Sequence, residues 1–320
     1  MIGIRTPFRV SFAGGSTDLP SFYKKNSGKV ISTSVNKYMY HFIHKFDEEL
    51  IQVKYSETEL VKDPNKIKHK IVRKISEQSD LRGLDINSIA DIPKGSGLGS
   101  SSAYTVGLIN GINVFHGNIL SKENLAKESA DLEINKLKEP IGKQDHYASA
   151  YGGLNLITFN KDDSVDIEKI SIDDQAINYL NSSFLLFKVG ESRSASEILT
   201  EQNKSYKNDT NNELGNRIME LVDPMVGAIK STNIKEIGEI LNISWNLKNQ
   251  LSNSVSNNEI EELVNNLISH KGIYGAKLLG AGGGGYILAC GEPNILNRIE
   301  FDNKVSFKFE STGSTIIFQD

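Results

Sequence analysis

Between Pro93 and Ala103 the chain reads Pro-Lys-Gly-Ser-Gly-Leu-Gly-Ser-Ser-Ser-Ala, with glycine at 95, 97 and 99. Glycine has no Cβ to bar positive φ, so alternate glycines let the backbone turn tightly and aim several N–H groups at one anion. The half-alternating run Ile86 to Ile92 before the segment reads as a strand. Behind it, Ala103, Val106, Ile109 and Ile112 recur at near-helical spacing, and Gly107 and Gly111 leave room for a close neighbour. A helix start adds unpaired N–H groups and the positive end of its dipole. The same composition also builds linkers and surface turns. Placement inside a strand, loop and helix unit favours phosphate binding by Gly95, Ser96, Gly97, Leu98, Gly99, Ser100 and Ser101. The spacing is neither that of a Walker loop nor that of a dinucleotide fingerprint.

A chain of 320 residues exceeds the roughly 100–200 of one domain, so two are expected, 1–180 and 181–320. Hydrophobic content of 38% and charged content of 24% are those of a soluble globular protein. A net charge of −4 without a dense basic run argues against nucleic acid as a partner. The single cysteine, Cys290, makes no internal disulfide. Met1 to Arg5 lacks a signal-peptide core and no run reaches membrane-spanning length. The expectation is a cytoplasmic protein with no membrane partner. Nothing in the sequence specifies an oligomeric state.

From Pro7 to Ala13 the residues alternate, with Arg9 on the less apolar face of a strand, and Gly14-Gly15-Ser16-Thr17-Asp18 breaks the pattern. Turns at strand ends often carry binding groups. Asp18 equally suits an Asx turn or a helix cap. In the β-rich stretch Val30 to Phe46, His41 and His44 lie three apart, a spacing that suits metal binding on a helix better than on a strand. Helices are expected over Pro64 to Gln78, with Asp63 as cap, and from Ser121 to Leu137. Glu133 falls on the inward row of the latter, where a carboxylate needs either a cation beside the phosphate loop or a lysine such as Lys136. A short helix around Asp145, a strand Leu154 to Phe159, a strand Phe184 to Val189 and a helix opening at Gly190 to Ser194 follow. Lys204 to Asn216 reads as a loop or frayed helix. Helices are expected over Arg217 to Ile229, Ile234 to Leu251 and Asn258 to Ser269. Gly280 to Gly285 then precedes a strand, so two glycine-rich loops are candidates to face each other across a cleft.

Three segments in order, Pro7 to Asp18, Pro93 to Ala103 and Lys277 to Tyr286, resemble the galactokinase, homoserine kinase, mevalonate kinase and phosphomevalonate kinase superfamily. The runs Arg5 to Pro20, Gly142 to Ala148 and Ser192 to Ser196 are most similar to the bacterial D-glycero-D-manno-heptose 7-phosphate kinases. The resemblance implies an α+β fold of two domains, the N-terminal one like ribosomal protein S5 domain 2 and the C-terminal one ferredoxin-like. It also implies ATP and Mg²⁺ as cofactors and a small sugar phosphate as partner, phosphorylated at its anomeric hydroxyl to the 1,7-bisphosphate for surface polysaccharide. Other sugar 1-kinases and a non-catalytic binding protein are the alternatives. On this resemblance the loop 95–101 wraps the ATP phosphates, Ser101 and Glu133 hold the metal, and Asp145 is the base, oriented by Arg9. Ser16, Thr17, Asp18, Gly282 and Gly283 fall to the substrate. Gly14-Gly15-Ser16 replaces the Gly-Glu-His of galactokinases. For a second substrate phosphate Arg193 is the first candidate and Lys277 the second.

Overall fold

The computed structural model describes residues 1–190, 195–301 and 303–320. Eight strands form the first sheet. They are β1 (Ile2–Ala13), β2 (Gly28–Lys45), β3 (Ile51–Lys54), β4 (Thr58–Val61), β5 (Leu84–Ala90), β6 (Leu154–Phe159), β7 (Val165–Lys169) and a strand from the far end of the chain. The second sheet contains β8 (Phe184–Val189), β9 (Ile273–Leu278), β10 (Gly285–Gly291) and β11 (Lys304–Val305), in the order β11-β8-β10-β9, all antiparallel. The far-end strand is β12 (Thr315–Gln319), and it pairs with the start of β1. Both ends of the chain therefore share one sheet, an arrangement no local pattern signals.

β1 is buried on both faces, because β2 lies at its edge while helices cover it above and below. Phe8, Val10 and Phe12 fill one side, and the ring of Phe12 lies 5.2 Å from that of Phe184 on β8, joining the two halves through one core. The polar residues of the other side, Arg9 and Ser11, are thereby carried inside. β2 is 18 residues long; Gly28–Thr33 pair with β6 and Met39–Lys45 with β5. His41 and His44 fall on opposite faces of it. His41 packs edge-on against Tyr104 and His44 lies 3.4 Å from Asp85, so they form no metal pair.

Several helix expectations are corrected. Pro64 to Gln78 divides into a 3₁₀ turn at Pro64–Lys66, capped by Asp63 on Asn65 N at 2.9 Å, and a helix at Lys70–Ser76. The helix capped by Ser121 runs over Lys122–Asp131 and then widens into a π turn at Leu132–Lys136, which carries Glu133. The Asn-rich stretch Lys204 to Asn216 is helical at both ends, in Ala195–Lys207 and Asn212–Glu220, with a turn over 208–211 between them. Its polar surface hides a buried row of Ile198, Gln202 and Tyr206, and Gly215 abuts the ring of Phe22. The helix expected over Arg217 to Ile229 is broken at Leu221, because Pro224 has no N–H to give and belongs in a first turn, that of Val222–Lys230.

In the second half, the helix Ile234–Asn249 lies on β9 through a glycine contact. A Cβ at Gly275 would stand 1.9 Å from the carbonyl oxygen of Gly238. Gly275→Ala is expected to destabilise the protein by about 3 kcal/mol, the upper end for an overpacked core, read as a lower urea midpoint. An unchanged midpoint would show that helix and strand separate freely.

Candidate active site

Arg9 joins three segments. Its Nε donates to Asp145 Oδ1 at 2.7 Å and its Nη2 to Asp145 Oδ2 at 2.8 Å, a bidentate fork. Its Nη1 donates to the carbonyl of Gly97 at 2.6 Å, and its backbone N–H to that of Leu98 at 3.0 Å. The Arg9 side chain is 4% exposed and that of Asp145 22%, so the carboxylate is the partner that faces solvent. The loop comes this close because it is glycine. A Cβ at Gly99, whose φ is +76°, would lie 3.1 Å from Asp145 Oδ2 and 3.3 Å from Arg9 Cγ. The second glycine-rich loop meets the first from the other side. A Cβ at Gly97 would meet Leu279 O at 2.7 Å, and one at Gly285 would meet Ser96 O at 2.6 Å.

Behind the loop, Gly99 starts the helix Ser100–Phe115 and Ser101 turns back toward Glu133, its Oγ donating to Oε1 at 3.3 Å. The π turn points Glu133 inward, where Thr105 also donates to Oε1 and His146 Nε2 lies 3.3 Å from Oε2. Burial pushes the Glu133 carboxyl up. The bonds from His146, Thr105 and Ser101 outweigh burial and hold it below the ordinary carboxylate range. A lysine does not serve it: Lys136 pairs with Asp131 at 3.4 Å. A serine hydroxyl and an ionised carboxylate on the cleft wall are hard oxygen donors, the kind that fit Mg²⁺ beside phosphates.

These groups line one cleft of about 1160 Å³ between the two sheets' loops. One end is aromatic, with His69 stacked on Tyr104 at 4.7 Å. The other is polar. Asp18 accepts from Gln144 N and Nε2, each at 3.1 Å, through a gap that exists because residue 142 is glycine; a Cβ there would lie 1.9 Å from Asp18 Oδ2. Ser16, at φ +80°, donates to Gln202 Oε1 at 2.6 Å. Lys248 and Lys277 also line the cleft.

Residues 65–153 match the family model for the GHMP kinase N-terminal domain, and residues 225–299 the model for the GHMP kinase C-terminal domain. The chain belongs to the GHMP kinases. It is 26% identical over 307 residues to a D-glycero-alpha-D-manno-heptose 7-phosphate kinase of Campylobacter jejuni, covering 91% of this chain and 90% of the relative. It is 29% identical over 304 residues to a mevalonate kinase of Pyrococcus horikoshii, covering 91% and 81%. Its fold matches the crystal structure of a D-glycero-D-manno-heptose 1-phosphate kinase from Bacteriodes thetaiotaomicron with a TM-score of 0.82, at 19% identity and 100% coverage of both chains. A Lactococcus lactis galactokinase complexed with galactose matches at 0.77, with 15% identity and coverage of 98% and 94%. The chain is thus an ATP-dependent kinase for a small-molecule substrate, with the two-domain α+β fold of its family.

In this GHMP kinase the structure brings together Arg9, Asp145, Gly95, Gly97, Gly99, Ser100 and Ser101 of the loop, Glu133, Ser16 and Asp18, whereas Ser96 and Leu98 are buried behind the loop and do not line the cleft. Thr17 turns away from the cleft, its hydroxyl donating to Gly14 O at 2.8 Å and bracing the turn. Gly282 and Gly283 pack on Val255, and it is Gly280 and Ala281 that reach the cleft. Arg193 lies outside the described residues. Sequence reading missed Gln202, Lys248, Thr105 and His146. His146 had the plainest signal, since it adjoins Asp145 and a buried carboxylate was in want of a partner.

Burial pushes the Asp18 carboxyl up to about 6; the N–H bond from Gln144 opposes this and the charge of Asp145 adds to it. The fold therefore binds the Asp18 proton more tightly than the unfolded chain does. Its contribution to stability is full below about pH 4 and is lost as pH rises through about 6. Relative to Asp18→Asn, the wild type is expected to lose on the order of 3 kcal/mol of unfolding free energy between pH 4 and 7. Parallel stability curves in denaturant titrations would contradict the shift.

Proposed function

We propose that this kinase phosphorylates the anomeric hydroxyl of D-glycero-D-manno-heptose 7-phosphate. The observation that carries the reading is a carboxylate, Asp145, forked by a guanidinium that also touches the phosphate loop, at the border between that loop and a polar pocket. Similarity to the Campylobacter jejuni enzyme along nine-tenths of both chains supports the choice of sugar.

In this reading the N–H groups of residues 95–101 receive the ATP phosphates, while the rings of Tyr104 and His69 border the base. Ser101 and Glu133 would hold Mg²⁺, which supplies neutralisation of phosphate charge when bound. Asp145 takes the proton of the acceptor hydroxyl as its oxygen bonds to the γ-phosphorus and the bond to the ADP oxygen breaks. An anomeric hydroxyl is more acidic than other sugar hydroxyls, which suits a carboxylate acceptor. Arg9 fixes both Asp145 oxygens and places positive charge beside the loop where the phosphoryl group moves. Asp18 and Ser16 would hold sugar hydroxyls, with Gln144 and Gln202 behind them.

Coupled turnover with MgATP is expected to favour the heptose 7-phosphate over unphosphorylated heptose, fucose, galactose and mevalonate, with ³¹P NMR placing the new phosphate on O1. Preference for one of the other acceptors would move the enzyme to another substrate. Asp145→Asn is expected to lower kcat by about 10³, within the range for a general base, with ATP affinity within threefold. Near-normal turnover would remove Asp145 from the chemistry.

A further inference from the structure

Arg9 is neutralised by Asp145, but Lys277 and Lys248, which also line the cleft, have no acidic partner among the described residues. Lys277, on β9, is 4% exposed, and its Nζ donates to the carbonyl of Phe12 at 2.9 Å. Lys248, on the helix Ile234–Asn249, donates to the carbonyls of Leu278 at 3.2 Å and Gly280 at 2.5 Å. Among the described residues neither lysine forms an ion pair; both are held by backbone oxygens alone. An ammonium taken out of water without a counter-ion is costly. Both groups are accordingly pushed toward the neutral form. Burial, then the charge of Arg9, pushes Lys277 down to about 7, and burial, then Lys277, pushes Lys248 well below its ordinary value. Ser11 and Gln202 also line the cleft, and among the described residues the buried Ser11 Oγ and Gln202 Nε2 have no hydrogen-bond partner.

We infer that Lys277 and Lys248, with Ser11, form a subsite for a second anionic group on the acceptor, a phosphate monoester other than the one being transferred. The ligand would bring the charge that the fold withholds. Two point charges and unpaired donors suit a tetrahedral dianion, whereas a neutral sugar would leave both ammonium groups uncompensated. Both lysines come from the C-terminal half, and Lys248 binds the carbonyl of Gly280, a residue that packs against Gly97 of the phosphate loop. Lys277 is fastened to β1 three residues beyond Arg9, on the side of Ser11 and Gly15. The inference rests on the reading that the acceptor is a phosphorylated sugar. It differs from a role for the lysines on the γ-phosphate of ATP, which the test separates.

Lys277→Met and Lys248→Met keep most of the buried apolar stem, and thermal melts identify any variant that fails to fold; Lys277→Arg restores charge if Met is not tolerated. Each variant and the wild type would be assayed with MgATP on D-glycero-D-manno-heptose 7-phosphate and on the unphosphorylated heptose. For Lys277→Met, kcat/KM on the 7-phosphate is expected to fall about 100-fold, the worth of a charge-assisted contact, with a far smaller loss on the unphosphorylated sugar and KM for ATP within threefold. Equal losses on both sugars, or a raised KM for ATP, would overturn the inference and assign the lysines to the transferring phosphoryl group. If the wild type itself does not prefer the 7-phosphate, the proposed substrate falls. Inorganic phosphate then decides the subsite alone. Inhibition competitive with the accepted substrate and lost in Lys277→Met supports it; no inhibition, or inhibition unchanged in the variant, overturns it.

Discussion

One side chain, Arg9, is the point at which the site is assembled. It extends from a strand buried on both faces, forks Asp145 on one helix and binds Gly97 on the loop that starts another. Each contact fixes a different segment, so the position of the carboxylate relative to the phosphate loop is set by one planar guanidinium. Lysine, a point charge on a flexible stem, would not reproduce that geometry. The charge is also largely withdrawn from water, which strengthens its action on a phosphoryl group nearby.

The arrangement depends on glycine at positions where contact leaves no room for a side chain. Gly99 lets the loop lie against Arg9 and Asp145, Gly97 and Gly285 let the two loops interlock, and Gly142 admits the Asp18 carboxyl. In the second half, Gly238 and Gly275 bring a helix and β9 together and so set the distance between Lys248 and Lys277. The result is a cleft whose walls include closely packed backbone and whose lining holds Asp18, Lys248 and Lys277, each shifted by burial toward its neutral form. Such unfavourable placement is expected where a ligand completes the environment.

Much of this was legible in contiguous residues. The strands Leu154–Phe159 and Phe184–Val189 and the helix Asn258–Ser269 coincide with their patterns, and the glycine loops announce themselves by composition. What was not legible depends on partners distant in sequence. Glu133 visibly needed a partner, and Lys136 was close in sequence, but the widened turn gives Lys136 to Asp131 and Glu133 to His146. Gln202 and Tyr206 were masked by the polar residues around them, although their i, i+4 spacing carries the burial. β12 has an ordinary strand composition, and its place at the edge of β1 follows only from the closure of the whole chain.

If Arg9 and Asp145 act as one unit, their losses do not add. The direct measurement is the single-turnover rate of phosphoryl transfer in Arg9→Lys, Asp145→Asn and the double variant, with ATP and acceptor saturating. The double variant is expected to be no slower, within about threefold, than the worse single variant. Losses that multiply across the two sites would show that the pair acts independently and would contradict the central role given to the fork.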